Sequence, residues 1–186
     1  MLVKEVVFQV LNILQNNELS TALKDEVELT ETQNEELDIL LMCVNMVQNI
    51  IATDYIKLKE TVSLHNTTGK VMFSNITDKN ILDIVKIFDA YGNNLKFKMD
   101  YDGVVTKKGK INICFAFIPK TMGLEDELYF KTHMTERVFA YGVLGEYFFV
   151  KGNFDDASIW DVRFKQALLN IRRNLREIKI PKREWI

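Results

Sequence analysis

The sequence is poor in the residues that most often provide chemistry or chain flexibility. Its 186 residues include two cysteines, two prolines, eight glycines and two histidines. Cys43 and Cys114 each lie in an apolar run without a second cysteine or a histidine at metal-ligand spacing, which predicts two buried reduced thiols. His65 and His133 are far apart, and neither has a carboxylate or cysteine at ligand spacing. The scarcity of glycine and proline argues against long flexible linkers.

Motifs of catalysis are also missing. The chain has no glycine-rich phosphate loop, and no serine lies in a nucleophile-elbow context. The nearest approach to a metal or acid–base set is the group Glu31, Glu35, Glu36 and Asp38. However, Glu31, Glu35 and Asp38 share one helix face opposite the apolar stripe, which indicates a solvated surface. We therefore expect no enzymatic activity, no cofactor and no metal.

Targeting and membrane signals are not evident either. The apolar start of the chain is interrupted by Lys4, Glu5, Gln9 and Asn12. No uninterrupted apolar run reaches the roughly 18 residues that span a bilayer, and no signal peptide is visible. We expect a soluble protein that is intracellular when made and has no membrane partner.

Charge is distributed unevenly, although the net charge is only −2. Residues 1–54 hold two lysines against ten acids, a local charge of −8, and residues 163–186 hold eight basic residues against two acids, a local charge of +6. This asymmetry is typical of oriented contacts between copies or partners, but two solvated helix faces of opposite sign would give it as well. The aromatic residues do not interleave with the basic run, so sequence-specific nucleic-acid binding is not expected.

Apolar spacing predicts helices at both ends of the chain. Three- and four-residue steps predict helices at 3–15, from Thr30 to about 53, from about 125 to Gly152, and from 155 or 156 to about 177; residues 19–28 are ambiguous. Thr30 and Gln33 are expected to form a capping box. The expected stripe of the third helix is Met134, Val138, Tyr141 and Phe148, beside a strip of small residues, Ala140, Gly142 and Gly145. The expected stripe of the last helix is Trp160, Phe164, Ala167, Leu168, Ile171, Leu175 and Ile178.

Between the helices the apolar period changes to two, which predicts antiparallel strands. The predicted strands are "YIKLKETVSLH", "KVMFSNI", "LKFKMDY" and "INICFAF", together with "ILDIVKIFDAY" as a strand covered on both sides. Turns are expected at "NTTG", at Gly92-Asn93-Asn94 and near Asp102-Gly103. In "LKFKMDY", the inward residues should be Leu95, Phe97, Met99 and Tyr101.

The predicted architecture is α+β. Each terminal helix has one apolar face and no other predicted partner, so the helices from the two ends should pack together. This gives a four-helix bundle of two N-terminal and two C-terminal helices with an inserted antiparallel β-module. The expected divisions are an N-terminal helical pair (1–54), the β-module (55–120), a C-terminal helical pair packing on 1–54 (121–178) and a docking tail (179–186).

The end of the chain, "IKIPKREWI", combines apolar anchors with basic residues. Ile178, Ile180, Pro181 and Trp185 suit docking into a groove or onto a sheet edge of a partner. The alternative is that Trp185 folds back on its own bundle.

The helices "VKEVVFQVLNIL" and "LDILLMCVNMVQNII" precede a β-module that ends in "INICFAFIPK". The segment that follows is "GLEDELYFKTHMTERVFAYGVLGEYFFVKGNFDDASIWDVRFKQALLNIRRNL", whose last helix contains Asp156, Trp160, Phe164 and Leu168. This arrangement resembles the head-to-tail connector adaptors of tailed bacteriophages, the tail tubular or gatekeeper proteins and the head-completion proteins. The final segment is similar to the family's closing helix pair, and in its last helix the similarity falls on those four residues.

The resemblance implies a virion structural protein located in the neck, and in the host cytoplasm during assembly. Such adaptors form a ring, usually of twelve copies, beneath the portal protein, where the ring extends the DNA channel and docks tail or neck proteins. DNA then only passes through the channel. An acidic face (Glu31, Glu35, Asp38) and a basic face (Arg172, Arg173, Arg176) would meet between subunits. The tail would reach the portal.

Two other classes of protein remain open. One is another neck or tail-completion protein with a different ring number, since stoichiometry depends on subunit geometry. The other is a cellular α+β interaction module whose basic tail binds a partner. An enzyme would require a cleft with perturbed titratable groups.

Overall fold

A computed structural model describes residues 1–130 and 134–174, without the side chains of residues 172 and 174. Among these residues the fold is α+β, with six α-helices and two antiparallel sheets. The helices are α1 (Val3–Leu14), α2 (Asn17–Lys24), α3 (Glu31–Ile50), α4 (Phe73–Ile76), α5 (Glu136–Val150) and α6 (Phe154–Asn174), and a π-helical turn (Ile51–Tyr55) follows α3. The strands are β1 (Leu58–Asn66), β2 (Lys70–Met72), β3 (Asn80–Asp89), β4 (Asn94–Leu95), β5 (Phe97–Met99), β6 (Gly103–Thr106) and β7 (Gly109–Ile118).

The chain forms two compact units. The helical unit consists of residues 1–47 and the described part of 122–174, and the β unit consists of residues 48–121. In the helical unit α1 packs against α5, and α5 packs against α6. The apolar steps of α1 explain its place there, because its five core residues are fully buried: Val3, Val6, Val7, Val10 and Leu11.

The start of α3 follows the predicted capping box. The Thr30 backbone N–H donates to Gln33 Oε1 at 3.0 Å, and the Gln33 N–H donates to Thr30 Oγ1 at 3.4 Å. The ambiguous segment before it forms the short helix α2, in which Leu19 and Leu23 are buried.

The third predicted helix begins later than expected and buries a different face. It begins at Glu136, not near 125, and its core residues are Phe139, Ala140, Val143 and Leu144. Of the expected stripe only Met134 is buried, and it lies before α5, whereas Val138, Tyr141 and Phe148 are half-buried. Because α5 carries apolar residues around most of its circumference, their spacing does not single out one buried face.

The small-residue strip of α5 is confirmed as a place of close helix contact. A Cβ atom added at Gly142 would lie 2.9 Å from the Phe164 ring of α6 and 2.9 Å from Val47 Cγ1 of α3. At Gly145 it would lie 3.4 Å from the Asp161 backbone nitrogen. Side chains of α3 and α6 therefore meet over Gly142.

The β unit contains a four-stranded sheet ordered β1-β7-β3-β4 and a three-stranded sheet ordered β2-β6-β5. The strand buried on both faces is β7, not the predicted β3. In β7 every residue from Ile113 to Phe117 is buried, whereas in β3 only Ile84 and Ile87 are. Both edges of β7 are paired along its length, one with β1 and the other with β3.

Two strand predictions were wrong in detail. "LKFKMDY" is divided between β4, which pairs in the first sheet, and β5, which pairs in the second. Met99 and Tyr101 were both expected inward but are exposed, and Tyr101 is fully exposed in the bend after β5. In "KVMFSNI" the strand ends at Met72 and the helical turn α4 follows, which places Ile76 in the core.

One helical stretch among the described residues, Glu31–Tyr55, is long and apolar enough to pass as a membrane span by length and composition. It is weak evidence, because the core helix of a soluble protein passes the same test. Leu40, Val44 and Val47 of this stretch are fully buried.

Candidate assembly surfaces

Glu36 is the acid of α3 that faces its own subunit. It accepts a hydrogen bond from the Tyr147 hydroxyl and another from Lys151 Nζ at 2.7 Å, both in the α5 region. Burial, followed by the hydrogen bond to Glu36, raises the pKa of Tyr147, so the phenol remains protonated and donates. Glu36 thus joins α3 to α5 and is not available to a partner.

The other acids of α3 lie on the opposite side of the helix. Glu31, Glu35 and Asp38 are exposed, and no ion pair within the described part of the chain includes them. The same face continues into Met42 and Met46, which are also exposed. We define the α3 stripe as Glu31, Glu35, Asp38, Met42 and Met46.

Helix α6 has a second apolar face that the sequence analysis missed. Phe164 and Leu168 are buried against the rest of the helical unit, whereas Ile159, Val162 and Leu169 are 52%, 49% and 46% exposed. Aliphatic residues repeated along one solvent-facing side of a helix are typical of an interaction surface. We define the α6 stripe as Ile159, Val162, Gln166, Leu169 and Arg173, of which Gln166 and Arg173 are also exposed.

A pair of exposed aromatic rings lies at the turn between α5 and α6. Phe149 and Phe154 are about 60% exposed, and their rings meet edge to face with centroids 5.5 Å apart. The two rings therefore cover part of each other and still leave apolar surface open to solvent. In the sequence, this exposed aromatic pair is indicated only by the apolar residues on both sides of Gly152.

The structure describes only part of the predicted basic face and none of the predicted tail. Arg173 is exposed near the end of α6, while the side chain of Arg172 is not described. The remaining predicted site residues lie outside the described residues: Arg176, Ile178, Ile180, Pro181 and Trp185. His133 lies outside them too.

Among the described residues, the two cysteines do not form a reactive or metal-binding site. Burial, together with the nearby carboxylates of Glu146 and Glu36, raises the pKa of Cys43 to about 12, so this thiol is not a nucleophile at neutral pH. Cys114 is buried, and within residues 1–130 and 134–174 no group of three potential ligands is placed to hold a metal ion.

Two shallow hollows lie beside His65 in the β unit, with volumes of about 200 and 370 Å³. Lys70 lines the smaller one. Hydrogen bonds to Asp100 and Asp102 raise the pKa of Lys70, so its amine remains protonated and is not a general base.

Glu146 provides a test of the electrostatics next to α6. Burial and the Asp161 carboxylate raise its pKa, so folding disfavours its charged form. A raised carboxyl pKa costs stability above the folded-state pKa, and the cost vanishes below the unfolded value of about 4.3.

Glu146→Gln should therefore be more stable than wild type at neutral pH, with an advantage that shrinks as the pH falls toward about 4. Thermal unfolding across this range measures it, and Glu28→Gln, at an exposed residue outside the helices, controls for the loss of one negative charge. Equal stability at neutral pH would contradict the prediction.

A comparison with models of known protein families finds no match to this chain, and a search of curated protein sequences finds no significant relative. The class that the fold defines is an α+β protein with exposed apolar side chains on α3 and α6.

Proposed function

We propose that this chain is a virion structural protein, a head-to-tail connector adaptor that forms an oligomeric ring beneath the portal. The ring would extend the DNA channel and dock the tail. The observation that carries the proposal is the exposed aliphatic face of α6, Ile159, Val162 and Leu169, on a helix whose other face belongs to the core. Such a face is suited to protein contact. The resemblance of the order of elements to connector adaptors supports the choice of assembly.

We further propose that α1, α3, α5 and α6 make up the four-helix bundle of such a subunit. Three contacts support it. These are the packing of α1 on α5, the packing of α5 on α6, and the Val47 and Phe164 side chains that meet over Gly142.

The proposed partners are further copies of the chain, twelve in the family's usual ring, the portal protein, and tail or neck proteins. DNA would only pass through the channel, so most of the basic residues of 163–186 would serve protein contacts. The tail segment 179–186, with Ile180, Pro181 and Trp185, would dock on the portal.

The test is to mix the purified protein with portal rings from the same source and image the mixture by electron microscopy. We expect an added ring of density on the narrow end of the portal. A chain that lacks residues 179–186 is the matched control. It should keep the circular dichroism of the full chain and leave the portal bare. A bare portal with the full, folded chain would contradict the proposal and favour a tail-completion protein or a cellular interaction module.

A further inference from the structure

The two exposed stripes have the spacing of helices that pair with another helix. Along the α3 stripe, from Glu31 through Glu35, Asp38 and Met42 to Met46, the steps are four, three, four and four residues, so the alternation holds from Glu31 to Met42. The steps along the α6 stripe, from Ile159 through Val162, Gln166 and Leu169 to Arg173, are three, four, three and four. An alternation of threes and fours averages 3.5 residues, the repeat that keeps one seam facing a partner helix.

The two stripes are complementary in only one direction. The α3 stripe is acidic in its first half and ends in methionines, while the α6 stripe begins with aliphatic residues and ends at Arg173. An antiparallel pair places Glu31 opposite Arg173 and Met42 opposite Val162, because eleven residues separate the two members of each stripe (42 − 31 and 173 − 162). Eleven residues correspond to about 16 Å on both helices. A parallel pair would place the acids against the aliphatic residues.

The remaining opposed residues of the antiparallel pair differ in how well their side chains match. Met46 comes close to Ile159, and Asp38 lies opposite Gln166, whose amide can donate to a carboxylate. Glu35 lies opposite Leu169, whose side chain can pack only against the methylene groups of Glu35, so this contact is favourable but weaker than the others. In this register the acidic N-terminal half of α3 lies along the last described turns of α6, where Arg173 supplies the opposite charge.

The occupant that these features fit is a second copy of the same chain. The core sides of α3 and α6 converge over Gly142, where Val47 and Phe164 meet. The stripes, opposite those core sides, therefore face away from each other, and one partner cannot cover both. We propose that α3 of each copy binds α6 of the next in an antiparallel, head-to-tail contact, so that every copy contacts two neighbours and the chain of contacts closes into a ring. This proposal rests on the proposed function and names the surface that performs it.

Cysteine cross-linking tests the register directly. A chain with Met42→Cys and a differently tagged chain with Val162→Cys are mixed under mild oxidation, over a range of concentrations. Because a disulfide needs Cα atoms within about 7 Å, only the proposed pairing joins the two tags. The bond accumulates, so it also traps weak association. The native cysteines are buried and give little background. Thr21→Cys, exposed on α2 of the same unit, replaces Val162→Cys in the control.

The expected result is a mixed dimer from Met42→Cys with Val162→Cys, and none with Thr21→Cys. A chain that carries both substitutions should give a ladder beyond the dimer. Dimers of Val162→Cys alone would indicate symmetric pairing of α6 with itself and would overturn the proposal. Absence of the mixed product at the highest soluble concentration would overturn it as well, in favour of a different cover for these stripes, such as residues 175–186 or a partner protein.

A charge exchange provides the second test. Glu31→Arg or Arg173→Glu alone should reduce the cross-linking rate about two- to fivefold, the range for an exposed ion pair, and both together in one chain should restore it. Glu18→Arg, on α2, should have no effect. Failure of the double variant to recover would contradict the register.

These results are separable from those of the portal experiment. A cross-linked ladder with a bare portal would support the contact between copies and reject the connector function. A decorated portal without the mixed product would support the function and reject this contact.

Discussion

Replacement of Leu168 by alanine should lower the free energy of unfolding by about 2–5 kcal/mol, whereas the same replacement at Leu169 should change it by less than about 0.5 kcal/mol. Leu168 is fully buried in the helical unit, so truncation removes buried apolar area and leaves a cavity. Leu169, the next residue of α6, is 46% exposed. Urea denaturation followed by circular dichroism measures both variants.

When association between copies is measured instead of stability, Leu169→Ala should be the variant that shows the loss. Leu169→Ala keeps the fold, yet it should reduce cross-linking between Met42→Cys and Val162→Cys chains, since Leu169 belongs to the α6 stripe. The adjacent leucines thus separate a folding role from an assembly role on one helix. Equal losses of stability would show that α6 is buried all round and would remove the basis of the α6 stripe.

The sequence predicted the ends of the helical unit better than its middle. In α1 the buried residues follow one stripe between polar neighbours, and at Thr30 the capping pair is local, so both could be predicted from adjacent residues. In α5 apolar residues surround the helix. The buried face there depends on which neighbours approach, and Val47 and Phe164 can approach because Gly142 has no Cβ atom in the space that they occupy.

The β unit shows a different limit. Alternation predicted that residues 95–101 are extended, but it carries no information about which sheet a strand joins. The strand changes sheet at Lys96, and Tyr101 consequently lies in a turn. Likewise, an apolar run predicts a strand covered on both faces, but β3 and β7 are both apolar runs, and their sequences do not indicate which of the two is covered more completely.

For the candidate surfaces, the charged residues could be predicted from the sequence, but the exposed aliphatic face of α6 could not. Glu31, Glu35 and Asp38 are recognisable because they oppose a clear apolar stripe. The aliphatic residues of α6 fall into two phases of the helix, and the phase of Phe164 and Leu168 accounted for the core. Only exposure in the structure indicates a surface role for the aliphatic residues Ile159, Val162 and Leu169.

The second large effect is expected at Gly103, the first residue of β6. Gly103→Ala should lower the stability of the three-stranded sheet by about 3 kcal/mol or more, the upper end of the overpacking range. The added Cβ would lie 2.3 Å from the Val71 carbonyl oxygen and 2.9 Å from Met72 Cα of the paired strand β2. These are backbone atoms, so no side-chain rotation relieves the clash, and the two strands must separate.

The matched control distinguishes close approach from backbone freedom, the reason usually given for glycine after aspartate in a turn. Gly92 has a φ of +86° and no atom within 4 Å of an added Cβ, so Gly92→Ala should cost only about 1–2 kcal/mol, the strain of a left-handed conformation. The φ of Gly103 is not in that region. Hydrogen exchange should therefore increase at Val71 and Val104 in Gly103→Ala and remain slow at both in Gly92→Ala. If Gly103→Ala lost less stability than Gly92→Ala, the backbones of β2 and β6 would not be close enough for an added Cβ atom to clash. The Asp102-Gly103 turn would then need glycine for its conformation alone.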